Sequence, residues 1–402
     1  MSGPLQSRPS GLADALALTT ASQVAATSSV LALTPIPTLV AASLGVQPHL
    51  VGYQVSLIYA SGIFFSMLAG GMVKRFGAGR VGQAALVLAA LGFMALATGH
   101  LAGMAAGSVL IGVGYALNNP SSSHVLSRLA PAAKRNLVFS VKQAGVPLGG
   151  VLAALAVPPL AHVFGWQAAL LMLAAVPLTL AAVYLRFIPV WDGDRTPDAP
   201  VLRGLRGGQG KIWRDPALRC LTILGFVYSA VQLSMSSFLV AMLITDFGWG
   251  AGTAATLAAG MQAGGAFGRV FWGLVADRLG SGFLVLGIVG LLTGLSAVGL
   301  GLLGSLPALG VAMVMLAGLT GLGWNGVILA ETARQSPPGG TLTGEVLTWT
   351  FAGVTAGPAS FALIYGLIGD FAATFRLFAA LAVAGGLLAL HQHRSIRRRG
   401  QG

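Results

Sequence analysis

One arginine inside an apolar, glycine-rich stretch is the residue of this chain best suited to bind a charged ligand. Arg269 lies between Gly260 and Gly280, eight residues before Asp277. In a helix that separation is roughly 12 Å, so Arg269 lies near the middle of a ~30 Å hydrocarbon core if Asp277 marks the membrane surface. A guanidinium at that depth is costly, and its forked donors fit a carboxylate or a similar oxyanion. The alternative is a structural role, in which Arg269 bonds a helix end or a carbonyl group and holds spans together.

A lysine in another predicted span is the second candidate cation. Lys142 follows Arg135 by seven residues, which places it roughly 10 Å into the membrane. From that depth its ammonium group either faces a central cavity or extends back to the lipid headgroups. The sequence places none of its acids clearly at mid-membrane, so neither cation has an obvious carboxylate partner.

Polar side chains at mid-span complete a possible substrate pocket. Polar groups within lipid also serve as contacts between helices, and that reading stays open for each of them. The single cysteine, Cys220, excludes a cysteine metal site, and His391 and His393 near the C-terminus have no third ligand nearby. We therefore expect neither a metal nor another cofactor. The pocket candidates are Gln23, Tyr59, Asn118, Gln143, Tyr228, Gln232, Trp324 and Asn325.

The composition indicates that helices crossing a membrane position these side chains. Of the 402 residues, 55% are hydrophobic and 8% are charged, whereas a soluble domain carries about 25% charged residues. Apolar runs of about 20 residues satisfy their own backbone hydrogen bonds in lipid only as helices. The sequence therefore predicts an all-α membrane protein. The twelve predicted spans are 12–38, 50–73, 81–98, 101–126, 137–160, 166–188, 218–244, 252–276, 282–304, 306–330, 344–368 and 371–391.

The net charge of +13 predicts a topology and argues against a nucleic-acid partner. Basic residues such as Lys74, Arg128 and Arg278 fall in alternate connections, whereas Asp246 and Asp370 lie in the intervening ones. This distribution follows the positive-inside rule. It predicts a multi-pass protein of a bacterial inner membrane with both termini in the cytoplasm.

The two halves of the chain resemble each other in sequence. Parallel repeats of six spans are a signature of one transporter architecture. We predict a six-helix bundle over 1–188, a cytoplasmic linker over 189–216, and a second bundle with a basic cytoplasmic tail over 217–402. The repeated loop motif reads Gly70, Lys74, Arg75 and Gly77 after span two, and Gly273, Asp277, Arg278 and Gly280 after span eight.

The loop after span eight resembles the signature of the major facilitator superfamily, and the resemblance extends over nearly the whole chain. The run from Gly145 through Pro147 to Gly150 resembles a helix-five motif often seen in its antiporters, and the resemblance makes these motifs candidate gating elements. Two positions depart from the pattern. Lys74 replaces the acid expected after span two, and Ser108 replaces the arginine linked to proton coupling in drug–proton antiporters. The resemblance implies twelve transmembrane helices in two pseudo-symmetric six-helix bundles, whereas the serine at position 108 argues against that antiporter class.

The segment around Arg269, from Phe267 to Arg278, resembles helix eight of oxalate/formate antiporters and monocarboxylate porters. In those families the matching arginine binds the substrate carboxylate. The resemblance implies a secondary transporter that works by alternating access on a small organic or inorganic anion, with a proton or counter-anion as the coupled species. We expect a monomer in the lipid bilayer and no enzymatic activity, because no catalytic groups converge at one depth. An exporter of drug-like or amphipathic compounds and a non-transporting sensor with the same fold stay open as alternatives.

The predicted topology can be tested by labelling. With Cys220 replaced, single cysteines at positions 74, 211 and 397 are expected to be protected from a membrane-impermeant thiol reagent in intact cells. Single cysteines at positions 246 and 370 are expected to react, because the positive-inside rule places them outside. Reaction of position 397 in intact cells would contradict the predicted orientation.

Overall fold

The computed structural model describes residues 11–46, 52–336 and 342–399. Predicted span two begins at residue 50, so its first two residues lie outside the described part. The other spans each contain a long helix or two consecutive helices, because their apolar runs have no polar interruption long enough to end a helix.

The first half contains six crossings. The fifth is divided at Ala144, between α6 and α7, and the first ends in a short turn before α2. The helices are α1 Leu12–Leu31, α2 Pro37–Leu44, α3 Gly52–Phe76, α4 Ala78–Leu96, α5 Leu101–Leu129, α6 Arg135–Gln143, α7 Gly145–Phe164, α8 Trp166–Tyr184 and α9 Ile188–Trp191.

The second half follows a connection that is itself partly helical. Its fourth crossing is divided at 322–324, between α14 and α15, and its last helix continues to Arg399 as the predicted basic tail. His393 in that tail bonds Ser281 Oγ through Nδ1 at 2.8 Å. The helices are α10 Arg203–Arg214, α11 Pro216–Thr245, α12 Ala251–Leu279, α13 Gly282–Gly299, α14 Pro307–Gly321, α15 Asn325–Gln335, α16 Thr343–Ile368 and α17 Phe371–Arg399.

Ten helical segments of the described chain are long and apolar enough to cross a membrane. Predicted spans one and eight, which are α1 and α12, are outside that set. Small and polar residues lower their hydropathy, and α1 buries its polar residues, among them Thr19, Ser22 and Gln23, inside the protein. The low hydropathy of α1 therefore goes with an interior position of its polar residues, whereas α12 also exposes large apolar side chains such as Phe267.

The same helix pairs pack in both halves. In each half the first crossing packs on the fifth, the second on the fourth, and the third on both the fourth and the sixth. The sequence repeat is thus expressed as a structural repeat of two six-helix bundles.

The two halves meet near the end of the bundle that carries Lys74, Arg128 and Arg278, called here the basic end. Asp277 of α12 accepts hydrogen bonds from the backbone N–H groups of Asn136 (3.0 Å) and Leu137 (2.8 Å) and from the Asn136 side chain (2.8 Å). Its carboxylate therefore lies at the N-terminus of α6, where unpaired N–H groups and the helix dipole stabilise an anion.

Glycine permits the close approach of the halves beside this contact. A Cβ at Gly273 would lie 2.5 Å from the Ser140 Cβ, and one at Gly326 would overlap the Ser140 backbone. A further contact joins the hydroxyl groups of Ser66 and Thr348 at 2.7 Å.

In the first half a different acid lies beside the loop that lacks one. Lys74 is exposed, and Gly77 has a positive φ of 96°. The buried Asp192 carboxylate accepts from the backbone N–H groups of Gly79 (2.6 Å) and Arg80 (3.3 Å) at the start of α4. Burial raises the pKa of the Asp192 carboxyl above its ordinary value, because the desolvation outweighs these hydrogen bonds.

The predicted linker contains α10 and all of α9 except its first residue. Within it, α10 packs on α3, α11 and α16, and Gln209 accepts a hydrogen bond of 3.0 Å from the Trp349 indole. The domain boundaries at 188 and 217 stay predictions.

Substitution of Asp277 by Asn is expected to open the basic end. The amide keeps one acceptor oxygen and loses the charge, so the contact weakens by about 1–2 kcal/mol and the closed population falls roughly 5- to 30-fold relative to the open one. Distances between spin labels at positions 80 and 278 would report the change. Asp370→Asn is the matched control, because Asp370 caps its own helix by accepting from Ala373 N at 2.8 Å. An unchanged distance distribution in Asp277→Asn would refute the gate.

Substitution of Asp192 by Ala is expected to lower the free energy of unfolding by about 0.5–2 kcal/mol, the usual effect of losing a helix cap. Asp198→Ala is the control, because Asp198 is exposed and makes no hydrogen bond or ion pair with the described residues. Thermal unfolding in detergent compares the two variants, and equal midpoints would contradict a capping role for Asp192.

Candidate functional site

A central cavity of about 110 Å³ lies between the two halves. It is lined by both halves, and α3, α5, α6 and α7 of the first half face α11, α12, α15 and α16 of the second. Six of the ten predicted binding residues line it: Arg269, Gln143, Gln232, Tyr59, Trp324 and Asn325.

Arg269 is buried, with 4% of its surface exposed, and it bonds two backbone carbonyl groups. Its Nε donates to Leu322 O at 3.1 Å, and its Nη1 donates to Gln143 O at 2.7 Å. No described residue accepts a hydrogen bond from Nη2. The guanidinium therefore has the structural role that was the alternative expectation, and it also lines the cavity.

Neither carbonyl group accepts a hydrogen bond within a helix, because the helices are interrupted at these points. The helical donor for Gln143 O would be the N–H of residue 147, and Pro147 has none. Leu322 follows the last residue of α14, where carbonyl groups have no partner within the helix. The guanidinium thus lies at the C-terminal ends of α6 and α14, where the helix dipoles favour a cation.

Lys142 is enclosed between helices and is not among the residues that line the cavity. It is 1% exposed, because the ammonium group is enclosed by side-chain amides. Its Nζ donates to Gln23 Oε1 at 2.8 Å, to Gln143 Oε1 at 3.2 Å and to Asn119 Oδ1. These three acceptors account for the three N–H donors of an ammonium group.

Three further predicted residues lie behind the cavity wall. Gln23 Oε1 accepts from Lys142 and from Asn118 Nδ2 (3.1 Å), and Gln23 Nε2 donates to Thr27 Oγ1 at 3.2 Å. Tyr228 donates to Leu286 O at 2.7 Å. These side chains contact neighbouring helices, the usual role of polar groups between membrane spans.

This geometry can be compared with known proteins. The profile of the Major Facilitator Superfamily matches residues 17–344. The chain belongs to this superfamily. The predicted superfamily fold of twelve helices is thereby confirmed, and the multi-pass arrangement follows from it.

Among superfamily relatives, the 2-nitroimidazole transporter of Escherichia coli (strain K12) is 31% identical over 184 residues, which cover 45% of this chain and 44% of that protein. The hexuronate transporter of Bacillus subtilis (strain 168) is 25% identical over 197 residues, which cover 48% of this chain and 46% of that protein. Each match thus spans less than half of the relative's length.

Among solved structures, FucP of E. coli, a fucose:proton symporter, was determined in the outward conformation and is 14% identical to this chain. The TM-score is 0.75, with 94% of this chain and 98% of that chain covered. At this identity the likeness shows the fold alone.

The lining of the central cavity also includes polar residues that were not predicted from the sequence. Asn119 lines it, whereas the predicted Asn118 beside it does not. One residue along a helix rotates a side chain by about 100°, and nothing in the sequence distinguishes these two asparagines. Tyr115, Ser229 and Thr350 line the cavity as well.

An aromatic cluster at this cavity joins the two halves. The rings of Tyr59 and Tyr115 lie 6.1 Å apart, and each lies 5.8 Å from the ring of Phe351 in α16. These rings form an apolar wall, whereas Arg269, Asn119 and Gln143 belong to the polar part of the lining.

Proposed function

We propose that this protein is a secondary transporter that moves a small organic anion by alternating access. The observation that carries the proposal is a buried guanidinium at the central cavity with no carboxylate beside it. The cavity lining in the described part of the chain contains Arg269 but no Asp or Glu. A site with that charge balance favours an anion over a cation.

A second positive charge behind the wall strengthens this preference. The Lys142 ammonium group is bound only to neutral amide oxygens of the described residues. In a low-dielectric interior both charges attract an anion more strongly than they would in water. The buried acids Glu331 and Glu345 lie in the crossing segments near the basic end, and Glu331 is paired with Arg334 at 3.0 Å.

The shape and chemistry of the lining favour an organic anion with a planar oxygen-bearing group. Aromatic rings line one part, and Arg269 offers forked donors in another. A hexuronate carries a carboxylate, and the nitro group of a 2-nitroimidazole likewise presents two oxygens in a plane. A planar pair of oxygens is thus a feature that the substrates of these two relatives share.

The arrangement of the halves suits alternating access. The described hydrogen bonds between the halves lie at the basic end and at Arg269, and the cavity lies between the bundles. Rocking of one bundle against the other would open the basic end and expose the same site to the other side.

Replacement of Arg269 is expected to remove anion binding. Loss of one partner of a buried charged hydrogen bond costs about 2–5 kcal/mol, so Arg269→Gln should weaken binding by about 30-fold or more. Arg269→Lys keeps the charge without the fork and should bind with intermediate affinity. Arg376→Gln is the control, because Arg376 is exposed and bonds within its own helix. A thermal-shift screen of small carboxylates identifies the ligand, and calorimetry compares the variants.

Three outcomes would contradict the proposal. The first is that Arg269→Gln binds the anion as tightly as the unmodified protein does. The second is that only neutral or cationic ligands bind, as expected for an exporter of drug-like compounds. The third is that an anion binds but no flux occurs in proteoliposomes, as expected for a sensor.

A further inference from the structure

The environment of Lys142 imposes a direction on the amide groups around it. An ammonium group has three N–H donors and no acceptor, so every amide that contacts it must present its oxygen. Gln23, Asn119 and Gln143 do so through Oε1, Oδ1 and Oε1. Since the oxygen and the nitrogen of an amide lie on opposite arms, each NH₂ group is turned away from the lysine.

Two of these three amides belong to the cavity wall. Asn119 and Gln143 line the cavity, and they are 3% and 5% exposed. Neither amide nitrogen donates a hydrogen bond to a described residue. In contrast, Gln23 does not line the cavity, and its Nε2 is already used by Thr27.

We propose that Lys142 is a positioning residue that makes the polar wall of the cavity an array of donors. Its ammonium group orients Asn119 and Gln143 so that their NH₂ groups face the cavity beside Nη2 of Arg269. The inference rests on the proposed anion function and adds the source of its selectivity. The predicted ligand class is a small carboxylate or similar oxyanion, which accepts hydrogen bonds and has none to donate.

The same wall should discriminate against the neutral amide of the same acid. A carboxamide ligand has an NH₂ group that needs an acceptor, and the oriented donors of Arg269, Asn119 and Gln143 offer none, whereas amide oxygens of the lining lie on other residues, Gln232 and Asn325. A buried NH₂ group without an acceptor is costly. The site is therefore expected to favour the carboxylate over the amide through hydrogen bonding as well as through charge. Without Lys142, the two wall amides are free to rotate by 180° and offer oxygen instead.

The test compares a carboxylate with its own amide. Benzoate and benzamide have nearly the same shape, and their dissociation constants are measured by calorimetry for each variant. We expect the unmodified protein to bind benzoate at least tenfold more tightly than benzamide. In Lys142→Met the ratio should fall at least tenfold, and benzamide should bind more tightly than before. Lys142→Gln, which keeps a polar group at the site, should shift the ratio in the same direction if Lys142→Met does not fold.

Gln23→Glu separates orientation from simple charge. The new carboxylate would neutralise Lys142 from behind the wall, while the lysine still orients Asn119 and Gln143. The proposal therefore expects most of the benzoate preference to survive in Gln23→Glu. A loss as large as that in Lys142→Met would mean that the charge of Lys142 acts alone, and the inference would be wrong.

Other outcomes distinguish the inference from the proposed function. If the unmodified protein prefers benzoate and Lys142→Met keeps the ratio while losing thermal stability, Lys142 is only a structural cation and the anion function stands. If the unmodified protein shows no preference for benzoate over benzamide, both proposals are overturned.

Discussion

The centre of this protein is arranged around a buried guanidinium, that of Arg269, which has no carboxylate partner. Moving such a charge into a low-dielectric interior is very costly unless strong acceptors surround it. The acceptors here are two backbone carbonyl groups, on Gln143 and Leu322, and each is available only because a membrane-crossing helix is interrupted. Pro147 and the break at 322–324 are thus part of the binding site of Arg269, although neither carries a charge.

The position of these two carbonyl groups links the site to the movement of the halves. Leu322 belongs to the same half as Arg269, whereas Gln143 belongs to the other half. A rocking movement that separates α6 from α12 must therefore lengthen the 2.7 Å contact between Nη1 and Gln143 O. An anion in the cavity would be a replacement acceptor at the moment when that carbonyl group withdraws. Ligand binding and the rearrangement would then act on the same hydrogen-bond donor.

The fold could be predicted from the sequence more completely than the site. Hydropathy, charge placement and the repeated loop motif were enough for the twelve crossings, because these signals sum over many residues. The direction of a single side chain, in contrast, depends on local packing and is not supported by a signal summed over many residues. Asn118 and Asn119 are equivalent in the sequence, and only packing decides that Asn119 lines the cavity. Lys142 was expected to face the lipid headgroups or the cavity. Its actual environment was not predicted, because the linear sequence does not show that amides from three different crossing segments converge on it.

The loss of symmetry between the two loop motifs bears on how firmly the basic end is closed. The second loop keeps its acid, and Asp277 holds the N-terminus of α6 across the interface. In the first loop Lys74 replaces the acid, and Asp192 caps α4 within its own half instead. That second carboxylate stabilises the bundle without stabilising the closed state. Among the residues described, closure at this end therefore relies on one carboxylate contact, on the hydrogen bond between Ser66 and Thr348, and on close packing at Gly273 and Gly326. Inverting a two-state equilibrium from 1:99 to 99:1 takes about 5.5 kcal/mol of differential binding, while hydrogen bonds to a charged group contribute about 1.5–3 kcal/mol each. A small anion that accepts two such bonds from Arg269 in one state only would supply about 3–6 kcal/mol, so the upper part of that range reaches the differential binding required.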